Sequence, residues 1–153
     1  MCYAFSNCWS VKTLNVTGWD VSGLSSNNNC GHSIFNNCYS LENIIGIESF
    51  RFQHANSMTN MFANCYSLKN LNLSNWTVSN TTSLASAFTN CYSLTSLNVS
   101  SWDVSNCTTL ASMFSGCISL TTVGNISNWD TSKCTTIAGM FRYCYSLKEF
   151  PAI

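Results

Sequence analysis

The sequence predicts an α/β solenoid, a right-handed coil with a parallel β-sheet on one face and short helices on the other. Two observations predict it. A phenylalanine recurs along the 153 residues at steps of 30, 27, 26, 26 and 27, and a cysteine follows it three residues later every time. Self-similarity at this period is typical of a solenoid, in which each repeat buries its apolar side against its neighbours. The pairs are Phe5 and Cys8, Phe35 and Cys38, Phe62 and Cys65, Phe88 and Cys91, Phe114 and Cys117, and Phe141 and Cys144.

The whole chain, residues 1–153, is predicted to be one solenoid segment of about six repeats of 26–30 residues. It opens and stops inside a repeat, so we expect it to belong to a longer protein. Two coils are irregular. The polar run 25–29 predicts a surface loop, and the second coil has Phe50 or Phe52 in place of a repeated tryptophan, with polar residues at 51, 53 and 54.

The first half of each repeat predicts a short helix. In the fourth repeat Leu84, Ala87, Phe88 and Cys91 lie at i, i+3, i+4 and i+7, the spacing of one buried helical face. Asn90 follows near its end, and asparagine tolerates the left-handed backbone with which helices often stop. Other repeats have Asn7, Asn37, Asn64 and Gly116 at this position.

The second half of each repeat predicts a strand with one buried face. Leu97 and Val99 alternate with serine and asparagine, and with Leu94 they form the L-x-x-L-x-L pattern of leucine-rich repeats. Trp102 and Val104 then return the chain across the core. Stacking such strands would give a parallel sheet with a spacing of about 4.8 Å. Trp19, Trp76 and Trp129 match Trp102 in other repeats.

The full repeat reads M-F-x-x-C-x-S-L-x-x-L-x-L-S-x-W-D-x-S-x, clearest over residues 61–80 and 113–132. This pattern resembles the BspA-like leucine-rich repeat surface proteins. The resemblance covers nearly the whole chain and implies an extracellular or cell-surface location and a role in adhesion. The family is mostly bacterial, with relatives in some protists. The chain departs from it in its irregular second coil and in showing no signal, anchor or cap.

Composition excludes several classes of partner. Charged residues make up 8% of the chain and the net charge is zero, so no electrostatic footprint for nucleic acid or an anionic membrane exists. The apolar runs are only a few residues long, which excludes membrane insertion. We therefore expect neither nucleic acid nor membrane as a partner.

No catalytic, cofactor or metal site is predicted. The sequence has no C-x-x-C motif, and His32 and His54 are not at ligand spacing to each other. Asp20, Asp103 and Asp130 occupy equivalent positions beside the repeated tryptophan, which favours a structural turn over catalysis. We expect the protein not to be an enzyme.

The cysteines fall into two columns. The six that follow the anchor phenylalanines are expected to be small buried apolar groups, free and inert. Cys107 and Cys134 form a separate column in a turn. If any pair is oxidised, we expect it to be Cys107 with Cys134.

Two rows of residues are candidate binding surfaces. The first lies on the exposed face of the predicted sheet and offers uncharged hydrogen-bonding groups; alternatively, its asparagines satisfy one another and only stabilise the coil. The second follows the cysteines and is aromatic; alternatively, its rings only cover the adjacent coil. The sheet row is Asn15, Thr17, Asn72, Ser74, Asn98 and Ser100, and the aromatic row is Trp9, Tyr39, Tyr66, Tyr92 and Tyr145, with Ile118 between the last two.

These features predict an extracellular or cell-surface binding or adhesion module that presents an uncharged polar and aromatic surface. The expected partner is a protein or glycan on a host or neighbouring cell. Self-association through the open ends of the solenoid is also expected. The alternative is a structural spacer, stalk or virion fibre segment without a ligand of its own.

Overall fold

A computed structural model describes residues 2–21, 31–50, 52, 54–150 and 152–153. In this part of the chain the six anchor phenylalanines form one stack, in which successive ring centroids lie 5.1 to 5.6 Å apart and the rings are nearly parallel. The chain therefore winds through six stacked coils in the predicted register. The polar run 25–29 and residues 51 and 53 of the irregular second coil lie outside the described residues.

Among the described residues, regular strands are restricted to the first two coils. Strand β1, Thr13–Asn15, pairs in parallel with β2, Asn43–Ile45, and a 3-10 helix, Ile47–Ser49, follows. In the rest of the described chain, β-type pairing between successive coils is limited to isolated parallel bridges. The prediction of a sheet running through all coils is wrong in this respect. The isolated bridges join Ser96 to Thr122, and Ser57 to Ser83 to Thr109 to Thr136.

The predicted short helices are wrong as well, because the described residues contain no α-helix. We call the run from four residues before the anchor phenylalanine to the cysteine the turn segment; in the fourth coil it is residues 84–91. Along the turn segment, backbone N–H groups bond alternately to the next coil and within the segment itself. The Phe88 and Asn90 N–H groups donate to carbonyls of the fifth coil at 2.9 and 2.8 Å, whereas the Cys91 N–H donates to the Phe88 carbonyl.

Two left-handed residues in each turn segment explain why it is not a helix. In the fourth coil Ser86 and Asn90 have φ values of 55° and 60°. Backbone of this hand interrupts a right-handed helix every four residues, so alternate N–H groups reach the next coil. The pairs are Tyr3 and Asn7, Ser33 and Asn37, Asn60 and Asn64, Ser86 and Asn90, Ser112 and Gly116, and Gly139 and Tyr143.

The core is the predicted one. The anchor phenylalanines and their cysteines are fully buried in the second to fifth coils, whereas Phe5 and Phe141 in the outer coils are half-buried. Phe50 and Phe52 are both buried and occupy the place of the missing tryptophan in the second coil, and Phe52 packs edge-on against Trp76. Burial of the repeated phenylalanine and cysteine is therefore confirmed.

Candidate binding surface

We call the run that carries the predicted L-x-x-L-x-L pattern the strand segment; in the fourth coil it is residues 94–99. The strand segments carry an exposed row of asparagines. Asn15, Asn72 and Asn98 are all exposed, as are the hydroxyl residues two positions after each. The Oδ1 atom of each asparagine accepts the backbone N–H of that following residue, at 2.9, 3.2 and 3.1 Å. These are Asx turns, the arrangement by which asparagine ends a strand without a partner from another coil. The hydroxyl residues are Thr17, Ser74 and Ser100.

The Asx turns use only the oxygen of each side-chain amide. The Nδ2 groups of Asn15, Asn72 and Asn98 donate to no acceptor among the described residues. An asparagine ladder, in which neighbours satisfy one another, therefore does not form in this column. The sheet face instead presents up to six unused N–H donors, two for each amide.

The row is interrupted in the second coil by Ile45, whose side chain is 51% exposed. A concavity of about 450 Å³ lies beside it, lined also by Asn43, Asn70, Asn72 and Glu48. Sequence reasoning missed Ile45, Asn43 and Asn70, although the irregular second coil was a signal that could have found the first two. The site thus combines one apolar contact with several amides.

Close approach of the first two coils explains why glycine follows Ile45. A Cβ atom on Gly46 would lie 2.7 Å from the backbone nitrogen of Thr17, and the φ of Gly46 is 86°. Both facts exclude a larger residue here without a backbone shift. The backbone that follows Ile45 is therefore held by main-chain packing against the first coil.

The aromatic row forms a second, continuous stack. The rings of Trp9 and Tyr39 lie 6.3 Å apart, those of Tyr39 and Tyr66 4.9 Å, and those of Tyr66 and Tyr92 4.8 Å, all nearly parallel. The ring faces therefore cover each other, and burial together with the neighbouring phenols raises the pKa of Tyr66. Tyr145 lies beyond Ile118 and outside this stack. Within the stack, Tyr39 and Tyr66 offer ring edges and hydroxyls rather than open faces, whereas Tyr145 is 75% exposed.

A second column of asparagines lies in the turn segments, and its amides do satisfy one another. The Nδ2 group of Asn37 donates to Oδ1 of Asn7 at 2.9 Å, that of Asn64 to Asn37 at 2.8 Å, and that of Asn90 to Asn64 at 2.8 Å. The sequence predicted left-handed backbone at these positions, which is confirmed. It did not predict the hydrogen bonds between their side-chain amides. The role of this column is structural.

The buried thiols are hydrogen-bonded across coils. Cys65 and Cys91 donate to the carbonyl of the anchor phenylalanine of the preceding coil, both at 3.2 Å. Burial raises the pKa of Cys38 to about 11 and that of Cys144 to about 12. The described cysteines are all free thiols. These groups are therefore poor nucleophiles in the native state.

The pair Cys107 and Cys134 consists of two thiols in the structure rather than a disulfide. The Sγ atom of Cys134 donates to the carbonyl of Cys107 at 3.1 Å, and that of Cys107 donates to the carbonyl of Thr81 at the same distance. Each thiol thus bonds to the main chain of the preceding coil. Their pairing under oxidation stays a prediction.

The repeated carboxylates beside the tryptophans act as turn residues. Asp103 and Asp130 accept the backbone N–H groups of Ser105 and Ser132, each at 3.0 Å. These hydrogen bonds, with those of the serine hydroxyls, lower the pKa of both aspartates. In the part of the chain that the structure describes, no group of three or more histidine, cysteine or carboxylate side chains could hold a metal. Nor is any helix there long and apolar enough to cross a membrane.

Comparison with known proteins gives one family and one fold. The family model described as "Mycoplasma protein of unknown function, DUF285" matches residues 1–96 and again 56–150. No curated protein matches the chain. The crystal structure of a Treponema pallidum (T. pallidum) leucine-rich repeat protein, TpLRR, is 18% identical with a TM-score of 0.50, over 97% of this chain and 70% of that chain. This likeness shows a leucine-rich-repeat type of solenoid.

Proposed function

The chain belongs to the family described as "Mycoplasma protein of unknown function, DUF285", and we propose that it is a binding or adhesion module acting at the cell surface or outside the cell. Its resemblance to BspA-like surface proteins supports that location. The ligand is a neutral protein or glycan segment on a host or neighbouring cell. The sheet face holds it.

The observation that carries this proposal is the set of unused amide donors on the sheet face. The Oδ1 atoms of Asn15, Asn72 and Asn98 accept the hydrogen bonds of the Asx turns, and their Nδ2 groups stay exposed. A ligand therefore meets a surface of donors, which selects for acceptor groups such as peptide carbonyls or sugar oxygens. Ile45 adds an apolar contact beside them.

The low charge of this face sets how binding should respond to salt. Within the described residues, the sheet row contains no ionisable side chain, and Glu48 is the one carboxylate that lines the concavity. Association driven by amides and an apolar contact depends little on ionic strength, unlike association steered by charge. Enzymatic function is disfavoured in this proposal, because the repeated carboxylates Asp103 and Asp130 are engaged in turn hydrogen bonds from Ser105 and Ser132.

A structural spacer is the second candidate, and the turn segments favour it. There the anchor rings stack from coil to coil. The buried thiols and the side-chain amides of Asn7, Asn37, Asn64 and Asn90 form hydrogen bonds between coils. Such continuity sets length and stiffness without any ligand. A spacer would tolerate changes on the sheet face and fail only when coils are deleted.

The test replaces asparagines by aspartates, which removes the Nδ2 donors and keeps the oxygens that form the Asx turns. In Asn72→Asp with Asn98→Asp, each carboxylate oxygen can still accept the turn N–H, as Asp103 and Asp130 do in this chain. Binding of the wild type and this variant to glycan arrays and to host matrix proteins should be measured at low and high salt. We expect the variant to lose binding at both salt concentrations, with an unchanged melting temperature.

A matched control variant distinguishes binding by the sheet row from binding by the aromatic row. Tyr66→Phe with Tyr92→Phe removes two hydroxyls of the aromatic row and leaves its stack, so we expect full binding. Loss of binding in this control, or attachment that collapses as salt rises, would reject the sheet-face mechanism. Binding unchanged by the two aspartates, or absent from the wild type on every surface tried, would favour the spacer.

A further inference from the structure

Three tyrosines of the aromatic row form a stack of phenols on the surface of the second, third and fourth coils. The ring centroids of Tyr39 and Tyr66 lie 4.9 Å apart with the ring planes 7° from parallel, and those of Tyr66 and Tyr92 lie 4.8 Å apart at 10°. Tyr39 and Tyr92 are 37% and 38% exposed, and Tyr66 between them is half-buried. The coil repeat therefore holds solvent-accessible phenols face to face.

The backbone beneath these rings is tied from coil to coil. The Ser67 hydroxyl donates to the Tyr39 carbonyl at 2.9 Å, and the Ser93 N–H donates to the Tyr66 carbonyl at 3.1 Å. These hydrogen bonds keep successive tyrosines one coil apart while their side chains rotate. Each pair of phenols is thus held at a high effective concentration, which favours a bond within one molecule over a bond between molecules.

The thiols next to these tyrosines in the chain are withdrawn from the surface. Cys38, Cys65 and Cys91 directly precede the three tyrosines and are fully buried. Burial raises the pKa of each of these thiols. Because buried, protonated thiols are slow to oxidise, an oxidant that reaches this row meets the phenols first.

We propose that the tyrosine stack is an oxidative cross-linking site, at which Tyr66 is joined to Tyr39 or Tyr92 when a haem peroxidase and hydrogen peroxide act on the protein. The peroxidase removes one electron and one proton from each of two phenols, and the peroxide is reduced to two waters. The two phenoxyl radicals form a carbon–carbon bond between positions ortho to their hydroxyls. The two displaced ring hydrogens move to the oxygens, so the dityrosine product has two phenols and two fewer hydrogen atoms.

The cross-link strengthens the solenoid where the strand segments do not pair. In the third coil the N–H groups of Asn70, Leu71 and Asn72 donate to no acceptor in the part of the chain that the structure describes, whereas the first two coils pair through β1 and β2. A bond from Tyr66 ties this coil covalently to a neighbour and closes a loop of one repeat in the unfolded chain. The cross-linked protein should therefore melt at a higher temperature. The proposal is independent of any ligand on the sheet face.

A second pair of tyrosines in the same chain is an internal reference. The rings of Tyr143 and Tyr145 lie 6.0 Å apart, are inclined at 51° and are 48% and 75% exposed. If exposure alone decides the reaction, these two residues should react first. If the stacked geometry decides it, the cross-links should map to Tyr66 with Tyr39 or Tyr92.

The experiment treats the 153-residue chain at low concentration with a haem peroxidase and hydrogen peroxide. Dityrosine fluorescence, intact mass and peptide mapping of the monomeric fraction measure the product. We expect a monomer that has lost two hydrogen atoms, whose new bond joins Tyr66 to Tyr39 or Tyr92. Tyr66→Phe keeps a ring in the stack and removes the central hydroxyl, so the yield of intramolecular dityrosine should fall at least about tenfold.

Two control variants keep the reaction. Tyr145→Phe removes a more exposed tyrosine and should leave the intramolecular yield unchanged, whereas Tyr92→Phe keeps one stacked pair, so its product should map to Tyr39 and Tyr66. The proposal is overturned if the oxidised wild-type monomer contains no dityrosine, or if the bond involves Tyr143 or Tyr145 as readily as Tyr66. It is overturned equally if Tyr66→Phe, with its melting temperature unchanged before oxidation, gives the wild-type yield.

Discussion

The turn segments and the strand segments of the same six coils treat asparagine in opposite ways. In the turn segments Asn37 and Asn64 pair through their amides, donor to acceptor, at 2.8 Å. In the strand segments Asn72 and Asn98 lie one coil apart and each bonds to its own backbone instead. The amides of one column pair with each other within the fold, and those of the other column leave their Nδ2 donors without an acceptor among the described residues.

Backbone conformation accounts for this difference. Asn37 and Asn64 have φ values of 61° and 62°, and in both the backbone N–H reaches the next coil, which leaves the side-chain amide free to pair between coils. Asn72 and Asn98 come just before a turn whose N–H lies two residues on, so their side-chain oxygens bond locally. Ile45 also separates Asn15 from Asn72 by a coil without an amide. The role of a repeated asparagine is therefore set by its position in the coil.

The largest expected effect is protection of the thiols in the turn segments. Alkylation of Cys65 and Cys91 in the native state should be at least about 1,000-fold slower than in urea, because it requires unfolding. Cys8 and Cys134 are only partly buried and should react first. Mass spectrometry after timed alkylation measures this order, and uniform labelling of all cysteines would contradict it.

The same thiols predict a fall in stability at alkaline pH. Burial raises the pKa of Cys38 from its usual 9.0 to about 11 and that of Cys107 to about 12. Above pH 9 the unfolded chain loses these protons while the native state keeps them. The free energy of unfolding should therefore decrease as pH rises from about 9 to 11, and urea titrations across this range measure it.

The next largest effect is expected on the free energy of unfolding when an anchor phenylalanine is removed from the core. Phe88→Ala removes a ring stacked on both sides, at 5.4 Å from Phe62 and 5.5 Å from Phe114, and should cost about 3–5 kcal/mol in the free energy of unfolding. Phe5→Ala should cost less, since Phe5 is half-buried. Equal costs at both positions, measured by urea denaturation, would contradict an interior stack.

Sequence reasoning predicted the register, the buried phenylalanine and cysteine columns and the exposed sheet row, because each depends on a period. It mistook the turn segment for a helix, since Leu84, Ala87, Phe88 and Cys91 satisfy helical spacing in either conformation. The missing signal was Ser86, a left-handed residue that is neither glycine nor asparagine. Bonds between coils could not be predicted, because they join residues about 26 apart in the chain.

The two asparagine columns should also differ in stability. Asn64→Ala breaks two ladder bonds and places alanine in a left-handed conformation, so it should cost about 2 kcal/mol. Asn64→Gly keeps the backbone conformation and should cost about half as much, as the glycine at position 116 suggests. Thermal unfolding of both variants measures the split. Equal losses would show that the ladder, and not φ, carries the effect.

The smallest effect is expected on the sheet face. Asn72→Ala removes a single exposed bond, from the Ser74 N–H at 3.2 Å, and should cost about 0.5 kcal/mol. Asn72→Asp keeps an oxygen for that bond and should change stability by less than about 0.5 kcal/mol. Asn64→Asp is the contrasting variant, because it sets a carboxylate oxygen against Oδ1 of Asn37 and should be clearly destabilising. Similar melting temperatures for the two aspartate variants would contradict the division between a structural column and a binding column.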